Sequence, residues 1–268
     1  TMPFTAARAR NAGANYLIQK YPGLSAIQFV DGDCEICSTW INKGWQFLVD
    51  NSEYAVVCGR VRERFPERSI YNELCNIEWD TPVGDAFACG GIALIRVDAY
   101  KQVDGFRDDL IAGEEPELCF RLRENGWRIY RLNAEMTLHD AEMTQFSQWW
   151  RRAKRAGYAY ASAFYLHGLS AEKYKRKEVF SIIFWAVFIP TVIIFSVLNS
   201  YYLLVLFLIY PLQIIKIYKN CKLDNKRNFI KLVYSISIVV SKFPQLLGLV
   251  EFVLNKLQRN KEYLIEYK

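Results

Sequence analysis

Ala26-Ile27-Gln28-Phe29-Val30-Asp31-Gly32-Asp33 is the stretch on which the fold turns. Its first five residues are mostly apolar and follow Pro22-Gly23, so they read as a short buried strand. The strand stops at an acidic turn. Carboxylates at the C-terminal end of such a strand stand where open α/β sheets bind their ligands. Two acids flanking one small residue can hold a hard divalent cation, which takes oxygen ligands. The same spacing also occurs in plain polar turns, so both readings stand on the residues alone.

Working outward from that strand, residues 6–20 read as a helix ended by Pro22-Gly23. A second helix is expected over Glu35–Asn51 and a strand over Ala55–Val61. Residues 62–85 are polar, aromatic and Pro-containing, and read as a long surface segment with short helices. Cys89-Gly90-Gly91 precedes a strand at Ile92–Arg96, a short helix starts at Asp98, and Asp104-Gly105-Phe106 turns the chain. Pro116 suits the first turn of a helix that Asn125-Gly126 closes. Arg128–Leu132 alternates like a strand, and a long helix runs from about Gln145 to His167. The order β-α-β…β-α-β predicts one α/β domain over residues 1–170.

Residues 171–268 have a different character. Val179–Leu198 is twenty residues without a charge, long enough to cross a hydrocarbon core. Pro190 would kink such a span. Asn199-Ser200 makes a turn, and 201–217 is a second apolar run. Lys173, Lys175, Arg176 and Lys177 precede the pair; Lys216, Lys219, Lys222, Lys226, Arg227 and Lys231 follow it. Basic flanks on both outer sides predict a hairpin with both ends, and the α/β domain, in the cytoplasm. Residues 229–257 read as an interfacial or re-entrant segment. Residues 179–268 carry 11 Lys and Arg against 4 Asp and Glu, while residues 1–178 carry 23 against 24. The basic excess therefore lies beside apolar segments, where anionic lipids are the natural partner. The near-neutral remainder offers no nucleic-acid footprint. Seven cysteines without dense spacing point to reduced thiols. A thioredoxin-like or zinc reading of Cys34-x-x-Cys37 needs a partner pair or an active-site strand–helix context; directly behind the acidic turn, the pair reads as ordinary buried thiols.

Three further groups can carry chemistry. Gly113-Glu114-Glu115-Pro116-Glu117 crowds acids at a helix start. Dipole complementation accounts for one or two of them. A carboxylate held there could also act as a general base toward a hydroxyl, and Glu117 reads as a cap or surface charge. His139 follows a strand end and is open to a structural or a metal-ligand role. In Gln145–Arg152, the pair Trp149-Trp150 beside Arg151-Arg152 could stack sugar rings and hold phosphate. An amphipathic helix that buries tryptophan explains the same residues.

In this order, Ala-Arg-Asn-Ala-Gly (9–13), Asp-Gly-Asp (31–33), Cys-Gly-Gly (89–91), Asp-Gly-Phe (104–106), Gly-Glu-Glu-Pro-Glu-Leu-Cys-Phe-Arg-Leu (113–122) and Trp149-Trp150-Arg151-Arg152 resemble glycosyltransferase family 2, of the GT-A fold. Lys242-Phe243-Pro244 and Ile265-Glu266-Tyr267-Lys268 are similar to members with a C-terminal membrane part. The resemblance covers nearly the whole chain. It implies inverting transfer of a sugar from a nucleoside-diphosphate donor to a cell-envelope glycan or lipid-linked acceptor, with Mg²⁺ or Mn²⁺.

By residue, the resemblance puts Asp33 and His139 on the metal, Asp31 on the donor ribose or a metal-bound water, Arg10 and Asn11 on the donor, and Glu115 in the role of base. It puts Gly90, Gly91, Glu114, Trp149, Trp150 and Arg151 on the acceptor. Two departures stand out: Gln148 replaces the Arg of a Q-x-x-R-W element, and Glu115 stands where Asp is commoner. Members begin with a strand like V-I-P-V-Y-N-E that is not present before residue 9. A sheet lacking its first strands is therefore expected, and the alternative reading is an inactive membrane-bound remnant or assembly partner. A transport protein is disfavoured, because the hairpin carries no ionisable residue to line a path.

Overall fold

The computed structural model describes residues 5–199, 201–223 and 227–258. Ser200, Lys226 and the tail Ile265–Lys268, on which parts of the sequence reading rest, lie outside them. The chain divides into two compact units, Thr1–Thr144 and Gln145–Lys268.

The first unit is a mixed α/β fold. Helix α1 (Ala6–Lys20) starts at Thr5, whose side chain accepts the Arg8 N–H, and it buries Ala7 and Ala14. Strand β1 (Ala26–Phe29) follows, then the acidic turn, then β2 (Cys34–Ile36). Helix α2 (Trp40–Asp50) buries Trp40, Gly44 and Leu48, one face at a spacing of four. Next come β3 (Tyr54–Glu63), a 3₁₀ turn Pro66–Arg68, α3 (Ile70–Glu78), β4 (Gly84–Asp85), β5 (Ala93–Arg96), α4 (Val97–Gln102), α5 (Glu114–Glu124) and β6 (Arg128–His139).

The sheet runs β1-β5-β3-β6-β2, with β4 also on β6. Among the described residues, only β3 and β6 pair in parallel. Strands β1 and β2 are at opposite edges of this order, yet only Val30–Asp33 joins them. Four flat spacings would separate them by about 19 Å. The link, folded by a Cys34 N–H bond to the Asp31 carbonyl (3.1 Å), cannot span that. The sheet must curl. Register shifts in the β3–β6 ladder at Tyr54/Val56, Cys58/Arg60 and Arg60/Val61 supply the bend. The core beneath is built on Trp40, Leu48, Val56, Ile92, Leu118, Leu122, Ile129 and Met136.

Two expectations change here. The helix expected from Glu35 starts instead at Trp40, because Cys34–Ile36 pairs with Thr137–His139 as a strand. The strand expected to end at Leu132 continues to His139, since its second half meets both β3 and β2.

In the second unit, α6 (Phe146–His167) packs against α11 (Lys242–Gln258) at very close range. A Cβ on Gly157 would lie 2.0 Å from the Gln245 carbonyl oxygen, and one on Gly248 would lie 1.9 Å from that of Lys154. The Lys154–Glu251 ion pair (2.6 Å) spans the same helices. Between them run α7 (Arg176–Ile183), a π-turn at Phe184–Phe188, α8 (Ile189–Asn199), a 3₁₀ stretch Tyr201–Leu208, α9 (Ile209–Asn220) and α10 (Asn228–Val240). The π-turn lies just before Pro190, whose missing N–H interrupts the regular bond ladder.

Among the described residues, two helical runs are long and apolar enough to cross a membrane by length and composition: Arg176–Asn199 and Asn228–Gln258. The 201–217 segment, expected as a crossing helix, is 3₁₀ over its first half, and 229–257 lies within one long helical run.

Gly59 sits at the bend of β3, where an added Cβ would meet the Ala134 carbonyl oxygen at 2.6 Å and the Trp40 ring at 2.7 Å. Gly59→Ala should therefore destabilise the protein by about 1–3 kcal/mol. A urea-unfolding midpoint unchanged from wild type would contradict this account of the curl.

Candidate active site

The acidic turn and the acidic helix start meet on one arginine. Arg10, on α1, donates to Asp31 Oδ1 (2.6 Å) and to Glu114 Oε1 (2.5 Å). Its guanidinium also lies over the Phe106 ring, 5.6 Å from the centroid. Burial works against the Arg10 charge, but the fields of Asp31 and Glu114 and their hydrogen bonds outweigh it and hold the pKa above its ordinary value. Gly91 covers this cluster. A Cβ there would lie 3.3 Å from Arg10 Nη2, and its φ of +93° is one that glycine adopts without strain.

Glu115 is buried one residue further on. Its Oε1 accepts the Cys89 N–H (2.6 Å) and its Oε2 accepts the Gly90 N–H (3.0 Å). Cys119 Sγ is 3.0 Å from Oε1. Glu115 thus fixes the Cys89-Gly90-Gly91 turn from the first turn of α5, with Gly113 before it at φ +79°. Glu117, read as a cap or surface charge, is 1% exposed. Arg121 Nε reaches both of its oxygens, at 3.0 and 2.9 Å, and carries them inward. The same guanidinium donates to the carbonyls of Val103 and Gly105.

Asn11 has all four amide positions engaged. Its Nδ2 donates to the Phe106 carbonyl (2.7 Å) and Asp108 (2.6 Å), and its Oδ1 accepts from the Tyr100 hydroxyl and the Phe106 N–H. Here it locks the Asp104-Gly105-Phe106 turn, which packs beneath Arg10, and has no amide position left for a donor.

On the other side of the acidic turn, His139 Nε2 lies 3.2 Å from Asp33 Oδ1. The β2–β6 register puts Cys34 opposite His139. The ligand atoms of Asp33, Cys34 and His139 all lie within 4.8 Å of one another, a set that fits a divalent ion. Trp79, at the end of α3, stacks on the imidazole at 4.6 Å and 8°. Buried Glu63 braces the segment after His139 by accepting the N–H groups of Ala141 and Phe65. Burial, with Asp31 and Asp33 nearby, pushes the Cys34 thiol up to about 12.

Neither Cys34 nor Trp79 stood out in the sequence as a site residue. The paired-strand register of Cys34 and the placement of Trp79 by α3 are tertiary facts with no local signal.

In the second unit, Trp149 is buried, Trp150 partly so, and Arg151 exposed. Phe146 lies against both tryptophans, with centroids at 5.5 and 5.7 Å. Gln145 and Gln148 form a reciprocal capping box. Gln148, which stands where a Q-x-x-R-W element has Arg, therefore caps the start of the helix.

Removing the Arg10 charge leaves two carboxylates facing one another. Arg10→Met should cost about 2–3 kcal/mol, less than the ~3–5 kcal/mol of a fully buried pair, because Asp31 is partly solvated. Chemical denaturation measures it; a loss below about 0.5 kcal/mol would mean that the bridge is not a structural element.

No protein-family model matches the chain, and no curated protein matches it. Among solved structures, it is similar to the mannosyltransferase PcManGT from Pyrobaculum calidifontis, solved in complex with GDP-Man and Mn²⁺. The TM-score is 0.53 at 13% identity, over 96% of this chain and 68% of that one. A197 from STIV matches over 51% of this chain and 68% of that one at 17% identity, with a TM-score of 0.37, too low to bear on the fold. The first likeness shows that this chain has the fold of a glycosyltransferase.

Proposed function

We propose that this chain is an inverting glycosyltransferase that moves a sugar from a nucleoside-diphosphate donor to a cell-envelope glycan or lipid-linked acceptor at the cytoplasmic face of a membrane. The observation that carries the reading is the Arg10 bridge, which joins Asp31 to Glu114 across 83 residues of sequence and brings the two acidic stretches together. The PcManGT complex with GDP-Man and Mn²⁺ supports a nucleotide-sugar donor and a divalent metal, Mg²⁺ or Mn²⁺. The resemblance to family 2 points the same way.

In this reading Asp33 and His139 hold the cation, which when bound offsets the charge of the diphosphate leaving group. Asp31, aimed by Arg10, contacts the donor ribose. Gly90 and Gly91 let the acceptor approach the backbone closely. Glu115 takes the proton of the acceptor hydroxyl. Its two N–H bonds fix the carboxylate in place. Glu114, one residue earlier and less buried than Glu115, is a second candidate for the base. The apolar runs Arg176–Asn199 and Asn228–Gln258, with their basic flanks, support membrane attachment and a lipid-linked acceptor.

A panel of nucleotide sugars with Mn²⁺ or Mg²⁺, scored for transfer and donor hydrolysis, tests the reading. Asp33→Asn should abolish turnover. Glu115→Gln should lower kcat about 10²–10⁴-fold if it is the base, and Glu114→Gln should do so if that role is Glu114's. No turnover of any donor, or full activity in all three variants, would overturn the assignment.

A further inference from the structure

We propose that Cys34 joins Asp33 and His139 as a third ligand and gives the cation site a preference for soft divalent ions, Zn²⁺ or Cd²⁺, over Mg²⁺ and Mn²⁺. The proposal rests on the reading of Asp33 and His139 as cation ligands and adds a specificity that this reading does not contain.

Three independent constraints aim the thiol. The antiparallel register sets Cys34 directly across from His139, so both side chains leave the β2–β6 pair on one face. The Cys34 N–H bond to the Asp31 carbonyl closes the acidic turn and fixes where β2 begins. The Asp140 N–H bond to the Asp33 carbonyl (3.3 Å) continues the pairing past His139 and holds the Asp33 backbone beside it. Cys34 Sγ then lies 3.8 Å from Asp33 Oδ1, the oxygen that also faces His139 Nε2. Trp79 keeps the imidazole from rotating away.

The donor set is one carboxylate, one imidazole and one thiol. Mg²⁺ selects oxygen ligands and gains little from sulfur, whereas Zn²⁺ and Cd²⁺ bind thiolate and imidazole strongly. Three protein donors leave a four-coordinate ion one open position, where a diphosphate oxygen could bind. A soft ion would therefore occupy this site in competition with Mn²⁺.

The full chain, purified and kept anaerobic, is titrated with Co²⁺, Cd²⁺ and Mn²⁺. Wild type should develop a near-ultraviolet thiolate-to-Co²⁺ band, and Cys34→Ser should lose it. Cd²⁺ affinity by calorimetry should fall about tenfold or more in Cys34→Ser, while Mn²⁺ affinity stays within about twofold. Asp33→Asn should weaken both ions. A Co²⁺ band that persists in Cys34→Ser, or unchanged Cd²⁺ affinity, overturns the proposal and leaves the Asp33–His139 site intact. If neither Mn²⁺ nor Cd²⁺ binding responds to Asp33→Asn or His139→Ala, the cation site itself fails.

Discussion

The contact of Arg10 with Asp31 and Glu114 is the constraint on which the site depends. A guanidinium presents donors in a rigid fork, so one side chain can set the distance between two carboxylates from distant segments. Lysine would supply the charge without that geometry. Because those carboxylates hold the Arg10 pKa above its ordinary value, the arginine stays charged at any ordinary pH. Phe106 beneath the guanidinium and Gly91 above it fill the remaining space. Each is held in turn: Asn11 clamps the Phe106 turn, and Glu115 clamps the Gly90 turn.

The curl of the sheet is the second constraint. A turn of four residues cannot connect opposite edges of a flat sheet, so the acidic turn and the irregular β3–β6 register require one another. The curl puts β2 on the far end of β6 and thereby sets Asp33 beside His139. Asp31 and Asp33, two residues apart, then face different partners. Asp31 is neutralised by arginine, while Asp33 lies among groups suited to a cation. The two acids of this D-x-D are not equivalent, and their difference is written in what each touches.

Much of this was legible in the sequence wherever a local pattern carried it. The extents of α1 and α6, the apolar run of β1 and the Asn125-Gly126 end of α5 follow from pattern and end signals. Strand β2 was not legible, because Cys34-Glu35-Ile36 is a strand only by virtue of its partner. The second half of β6 was hidden for the same reason. Glu117 and Arg121 are visible as an i,i+4 pair, but nothing local says that the pair turns inward to the carbonyls of Val103 and Gly105. The acids at 31, 33, 114 and 115 stood out by spacing and by resemblance. Cys34 and Trp79 did not, since their roles depend on register and on where α3 packs.

The central claim is that the Asp33–His139 side of the acidic turn holds a divalent ion facing a diphosphate. Electron–nuclear double resonance on Mn²⁺ bound to the full chain, with UDP and with GDP in turn, tests it most directly. The account predicts ³¹P coupling from the nucleotide and ¹⁴N coupling from His139 on one Mn²⁺, with the nitrogen signal lost in His139→Ala. Mn²⁺ that shows only water protons with either nucleotide would contradict it.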